Sequence, residues 1–180
     1  CLRNAANWFL ANNEKEEAIF CLMQAELWHE AADLIEELGV TRMLAGQNDS
    51  LNWWLNRLPE AIISERPKLS LIKAWTLFCT ERVIEAEPYL NQADCMLQGA
   101  DHATLRTQIL LFRAHIARFQ GDEEQSAHWS ALAMQQSQNA PHQHNAVTQF
   151  AMGLEQYQNG QHRSARVTLE QALKAAYDER

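Results

Sequence analysis

Glycine and proline are scarce in this sequence, six and four among 180 residues. Both are poorly tolerated inside helices, so their rarity leaves few natural breaks. No stretch alternates apolar and polar residues long enough to form a half-buried strand, which argues against a sheet-based fold. No apolar run approaches the roughly 20 residues of a membrane span. The four cysteines, Cys1, Cys21, Cys79 and Cys95, are far apart and show no C-x-x-C spacing. Cys21 and Cys79 lie among apolar neighbours and read as buried free thiols, as expected in a reducing cytoplasm. Basic residues are also short, 15 against 23 acidic ones, for a net charge of −8. Phosphate binding needs clustered Lys and Arg, and these are scattered, so nucleic acid is not expected as a partner of this segment.

What the sequence does contain is helix-forming residues in helical periods. Leu2 to Asn12 and Glu14 to Gln24 read as a first hairpin, with Asn13 as N-cap of the second helix and Glu16 placed to reach back. A third helix runs from about Leu27 to Leu38, ended or bent at Gly39, with Gly46 closing the continuation. Asp49 to Leu58 follows, then a short turn begun by Pro59, then a break at Arg66-Pro67. Beyond that the stripes become regular. Leu71, Trp75 and Phe78 mark one helix; Val83, Ala86, Leu90, Ala93 and Leu97 mark its partner. Leu105, Ile109, Phe112, Ile116 and Phe119 step by four and three residues, which gathers them on one helix face. Gly121-Asp122 makes a turn into Ser126, Trp129, Ala133 and Met134, and a last hairpin joins Val147–Asn159 to His162–Tyr177 through Gly160. Short connections make neighbouring helices antiparallel. The chain opens at Cys1 and stops within a helical pattern at Arg180, so it reads as an excerpt of a longer protein.

Superposing the segments on their turns brings out a repeat. Ala74, Ala114 and Gly153 share one position in the first helix of each pair. Ala86, Ser126 and Ala165 share one in the second, followed seven residues later by Ala93, Ala133 and Ala172. A larger side chain at these places would push paired helices apart. The offsets of roughly 37–40 residues exceed the usual 34 of the tetratricopeptide repeat, which the small-residue pattern resembles. The expected fold is therefore all-α, a right-handed superhelix of antiparallel helix hairpins of the tetratricopeptide-like α-α solenoid kind. Residues 1–65 form lead-in hairpins and 66–180 the repeats, in one continuous solenoid. An ordinary helical bundle with alanine at chance spacing is the alternative.

Chemistry is hard to find. The sequence has no Gly-rich phosphate loop, no G-x-S-x-G and no H-E-x-x-H, so neither an enzyme nor a cofactor is expected here. His142-x-His144 is the nearest approach to a metal pair, but it sits in a Gln- and Asn-rich stretch without a carboxylate or thiol nearby, and reads as solvated loop. His29, His102, His115, His128 and His162 read as surface or satisfied boundary histidines. The acidic runs Glu14–Glu17 and Glu36-Glu37 suit solvated helix edges. Six tryptophans stand out. Trp8, Trp28, Trp75 and Trp129 fall on apolar stripes and are expected in the core. Trp53 and Trp54 point about 100° apart on a helix, so one should pack and the other face a groove or a neighbouring hairpin.

The phrases Ala5-Ala6-Asn7-Trp8-Phe9, Glu17-Ala18-Ile19, Ala31-Ala32-Asp33-Leu34-Ile35, Trp54-Leu55 with Leu58-Pro59, and Arg66-Pro67-x-Leu69 with Ala74-Trp75 resemble, in order and spacing, one bacterial family. It is that of the large ATP-dependent LuxR-type, MalT-like transcriptional activators, and the resemblance covers about residues 2–99. It implies a nucleotide-binding domain upstream, a helical sensor arm, and a helix-turn-helix DNA-binding domain downstream. ATP binding, self-association and DNA reading would then belong to the parent protein, and this chain would be the start of the arm. Its partner would be a small-molecule inducer or a regulatory protein. The groove of such an arm is lined by the first helices of each hairpin, which nominates Arg106, Gln108, Arg113, Gln149 and Gln156, together with Trp53 and Trp54. The rival expectation is a constitutive protein–protein scaffold without ligand switching; an enzyme with a metal at His142 and His144 is a third.

Overall fold

The computed structural model describes residues 1–97, 102–139 and 146–178. Among them there are helices and turns but no strand. In chain order the helices are α1 (Leu2–Ala11), α2 (Lys15–Gln24), α3 (Trp28–Leu44), α4 (Asn48–Arg57), α5 (Glu60–Ser64) and α6 (Pro67–Cys79). A 3-10 turn, Val83–Glu85, leads into α7 (Ala86–Met96), followed by α8 (Ala103–Phe119), α9 (Glu123–Asn139), α10 (Ala146–Gln158) and α11 (His162–Asp178). The strongest packing is between consecutive helices: α1 on α2, α6 on α7, α8 on α9 and α10 on α11. Helices α6, α8 and α10 also touch in succession, and α10 reaches back to α3.

Six turns between helices are built alike. Asn13, Glu26, Gly46, Glu81, Gly121 and Gly160 all have positive φ, between 57° and 80°. In each case the next residue's N–H donates to the carbonyl five residues back: Glu14 to Phe9, Leu27 to Leu22, Gln47 to Arg42, Arg82 to Leu77, Asp122 to Ala117 and Gln161 to Gln156, every one at 2.9 Å. This left-handed closure satisfies carbonyls that the helix end would otherwise orphan. It corrects the expected role of Asn13. Asn13 closes α1 rather than capping α2, whose N-cap is Glu14 without a side-chain bond. Glu16 does not reach back; it pairs with Arg42 of α3.

Gly39 is another correction, since α3 runs unbroken through it to Leu44. A Cβ on Gly39 would stand 2.5 Å from Ile72 Cδ1, so the glycine serves the close approach of α6. Gly153 plays the same part in the last hairpin, where a Cβ would meet Leu169 Cγ at 2.6 Å. The stripe of small residues behaves as its sterics require: Ala74, Ala86, Ala93, Ala114, Ser126, Ala133, Ala165 and Ala172 are all buried, as is Gly153.

Two apolar cores meet along α6. One gathers Ile19, Leu22, Ile35, Leu51, Trp54, Leu55 and Ile63 with Leu69 and Ile72. The other gathers Leu71, Ala74 and Leu77 with Leu90, Leu97, Ile109, Phe112 and Ile116. Each fully buried Leu or Ile contributes about 1.5–3 kcal/mol by leaving water. Two expected core residues are elsewhere. Trp8 is 59% exposed on α1, and Cys79 is exposed at the end of α6. No helix among the described residues is long and apolar enough to cross a membrane.

Candidate functional site

The faces of α6, α8 and α10 that turn toward one another are aromatic. Trp75 on α6 lies with its ring centre 5.7 Å from Phe112 of α8 and 6.0 Å from Phe150 of α10, the latter edge-on. Phe78 extends the run, 5.4 Å from Phe112 and 6.1 Å from Phe119. The Trp75 indole N–H is held by Asn48 Oδ1 at 3.2 Å, which fixes the ring from the α4 side. Between these helices lies a narrow apolar crevice with about 20 Å³ free, lined by Met43, Leu71, Trp75, Gln108, Phe112, His115, Phe150 and Ala151. Met43 comes from the last turn of α3, the helix that touches α10.

His115 and Gln108 are the polar residues of this lining. His115 is 5% exposed, and its Nδ1 lies 3.2 Å from Gln158 Oε1. A glutamine oxygen only accepts, so this bond places the proton on Nδ1 and leaves Nε2 as a bare acceptor. Nε2 is buried and has no hydrogen-bond partner. Burial pushes the imidazole pKa down, while Glu155, whose Oε2 is 3.7 Å from Nδ1, the Gln158 bond and the Ala151 carbonyl pull the other way. His115 is thus held neutral mainly by desolvation.

Behind His115 is a dense ionic cluster. Arg118 Nη2 donates to Glu155 Oε1 at 2.8 Å and to Ser126 Oγ at 3.1 Å, and its Nη1 donates to Gln158 Oε1 at 2.8 Å. Ser130 Oγ also donates to Glu155 Oε1, at 2.7 Å. The cluster ties α8 and α9 to α10. It makes Glu155 a structural anion whose charge is met by Arg118.

The seven residues expected to line a groove do not converge. Gln108 is at the crevice, buried, and its amide donates to Thr148 Oγ1 at 3.1 Å. Gln149 is half-buried, and its Oε1 has no hydrogen-bond partner. Gln156 instead accepts from Thr168 Oγ1 of α11 at 2.8 Å. Arg106 donates to the Leu97 carbonyl. Arg113 is committed to the α7 side, donating to Asp94 at 3.0 Å and Asn91 at 2.6 Å, with its guanidinium 5.2 Å from the Trp129 ring centre. Trp54 is buried, whereas Trp53 is half-exposed, stacked on Phe20 at 6.1 Å and covered by Arg57 at 4.2 Å. His142 and His144 lie outside the described residues. Among the described residues no three His, Cys, Asp or Glu side chains are grouped to hold a metal ion.

A second, wider groove of about 560 Å³ opens between α2 and α3, lined by Asn13, Lys15, Glu16, Glu37, Thr41 and Arg42 among others. Its charges already meet one another: Lys15 pairs with Glu37 at 2.6 Å and Arg42 with Glu16. The aromatic crevice is smaller but has a buried acceptor without a partner, His115 Nε2, in its lining, and for that reason it is the stronger candidate.

His115, expected as a surface or satisfied boundary histidine, is instead buried with Nε2 unpartnered, yet the repeat contains the signal. Immediately after the small residues Ala74 and Ala114 stand Trp75 and His115; two before them stand Ile72 and Phe112, and three before Gly153 stands Phe150. Reading the repeats in register therefore brings Trp75, Phe112, His115 and Phe150 toward one face. Compared with family models, curated proteins and solved structures, the chain finds no match in any of the three.

Proposed function

We propose that this chain is a recognition segment, the sensor arm of a LuxR-type, MalT-like transcriptional regulator, rather than a catalyst. The observation that supports this reading most directly is the aromatic crevice between α6, α8 and α10, with the buried, unpaired Nε2 of His115 in its wall. A concave, mostly apolar site with one or two placed polar groups is the usual form of a small-molecule pocket. The succession α6/α7, α8/α9 and α10/α11, with its small-residue stripe, supports a tetratricopeptide-like solenoid whose first helices line the inner side. In this reading the arm meets a small inducer. ATP binding, self-association and DNA reading lie on other domains of a cytoplasmic parent protein.

The test is a titration of the chain with a panel of sugars and other metabolites. Trp75 emission is isolated by difference against Trp75→Phe, and oligomeric state is followed by sedimentation. The expected result is a saturable change in Trp75 emission with at least one compound. If a partner protein is captured equally well with and without every compound, and Trp75 never responds, the constitutive scaffold replaces the sensor. The parent gene supplies a second arm of the test: a P-loop ahead of this segment and a helix-turn-helix behind it are expected.

A further inference from the structure

Resting on the reading of the crevice as a ligand site, we infer the chemical class it takes: a neutral, planar aromatic ring bearing one O–H or N–H donor, of the phenol or indole kind. The walls set the body of the ligand. Trp75, Phe112 and Phe150 present ring faces and edges at 5.7–6.0 Å spacing, the range over which aromatic pairs attract. His115 sets the polar group. Its Nδ1–H is spent on Gln158, so the free Nε2 asks for a donor and offers none.

The charges beside the imidazole neutralise each other, Arg118 and Glu155 pairing across 2.8 Å, although Arg118 Nε and Glu155 Oε2 each lack a hydrogen-bond partner. An ionic ligand would therefore enter an apolar crevice without a counter-charge, which desolvation opposes. Water is a poor occupant as well. The free space is about 20 Å³, enough for roughly one molecule, but a buried water wants 2–4 polar partners and the only polar residues in this lining are His115 and Gln108, whose amide already bonds to Thr148.

A ring needs more room than the crevice has at rest, and Met43 is the side chain placed to yield. It is buried, sits in the last turn of α3, and has the unbranched, adaptable chain that repacks at low cost. Ligand entry then displaces Met43 and loosens the approach of α3 to α10.

Phenol and toluene are the probes, alike in shape and differing in the donor. They are titrated by calorimetry into the intact chain, into His115→Phe, and into Met43→Ala. Long-range proton–nitrogen spectra of the imidazole follow Nε2. Phenol is expected to bind about tenfold tighter than toluene, the worth of one hydrogen bond to a buried acceptor, and to shift the Nε2 resonance. Met43→Ala is expected to tighten both probes, and His115→Phe to erase the difference between them. Met43→Ala leaves the imidazole and its partners in place, so it keeps the test open if His115→Phe fails to fold.

Equal binding of phenol and toluene to the intact chain overturns the donor requirement. Failure of both probes to bind Met43→Ala overturns the aromatic class. An Nε2 resonance already that of a hydrogen-bonded acceptor and unmoved by phenol assigns the space to a water and overturns the inference. A metabolite response at Trp75 alongside any of these failures leaves the sensor reading standing with a different ligand.

Discussion

The two halves of the molecule are stabilised by different means. Among the described residues, the core formed by α1 to α5 with one face of α6 encloses apolar side chains, and every buried polar side chain lies from Ser70 onward: Ser70, Lys73, Thr76, Thr107, Gln108, His115, Ser126, Thr148 and Glu155. Burying polar groups costs free energy unless each finds a partner. The first half meets that cost only at its border with α6, where Ser70 bonds to the Ile63 carbonyl and Lys73 to Asn56, and the second accepts it repeatedly. A segment that only had to hold hairpins together would gain nothing from a buried imidazole with one nitrogen unpaired. On the reading proposed above, the contrast sets a supporting half against a half suited to recognition, with α6 as their shared wall.

The largest expected effect tests the cost of that polarity. Arg118→Leu removes the cation from a pair whose side chains are 20% and 9% exposed, leaving Glu155 charged and buried. A loss of about 3–5 kcal/mol is expected from denaturant unfolding. Adding Glu155→Leu should restore much of it, since two apolar groups leave no orphan charge; a double variant as unstable as the single would show that the cluster is not governed by charge. In the first half the matching test is Leu51→Ala. Removing this fully buried side chain should cost about 2–5 kcal/mol, with no partner substitution able to recover it.

The same contrast appears in acid. Burial keeps His115 neutral in the folded chain, so just below the ordinary histidine value of 6.5 the unfolded chain binds more protons. Stability therefore falls as pH drops through 6.5 toward the lowered folded value. Glu36, on α3, has the opposite sign. Burial raises its pKa above 4.5, opposed by Arg66 and Lys68, so its contribution is lost as pH rises through the folded value. His115→Phe should flatten the stability profile below 6.5, and Glu36→Gln should change only the window above 4.5. A profile unaltered by either substitution would remove both assignments.

The smallest effect concerns the turns. Glu81 holds φ at 62°, a conformation costing about 1–2 kcal/mol for a side chain with a Cβ. Glycine relieves that strain but adds freedom to the unfolded chain. Glu81→Gly should raise stability by about 0.5–1 kcal/mol, read as a higher melting temperature. At Gly121, already in that conformation, Gly121→Ala should lower it.

Much of this architecture is legible in the sequence, for reasons that also explain the gaps. Helices α6 to α11 could be read because Gly121 and Gly160 mark turns and because small residues at fixed intervals report close helix contact. Glu26 and Glu81 occupy the same left-handed geometry without a glycine to announce it, and the similar hydrogen-bond pattern at all six turns appears only in three dimensions. Gly39 misled in the other direction. A glycine in a helical pattern signals either an end or a close neighbour, and Ile72, which decides between them, is distant in sequence. The crevice was hidden because Trp75, Phe112 and Phe150 satisfy the same periodicity whether they pack on a core or line a gap. Arg113 looked available for a ligand, but Asp94, Asn91 and Trp129 claim it from other helices.

The contact between α3 and α10 has a kinetic consequence. The other extensive helix contacts join sequence neighbours or helices separated by only one or two elements, and such local contacts form early. Bringing α10 onto α3 closes the long stretch 45–145 between them, so this contact should be among the last to form. For the same reason it should be among the first to open, on a timescale faster than unfolding of either core. The crevice edged by Met43 would then exchange between shut and open in the native chain, and amide exchange at the end of α3 should outpace that of α6.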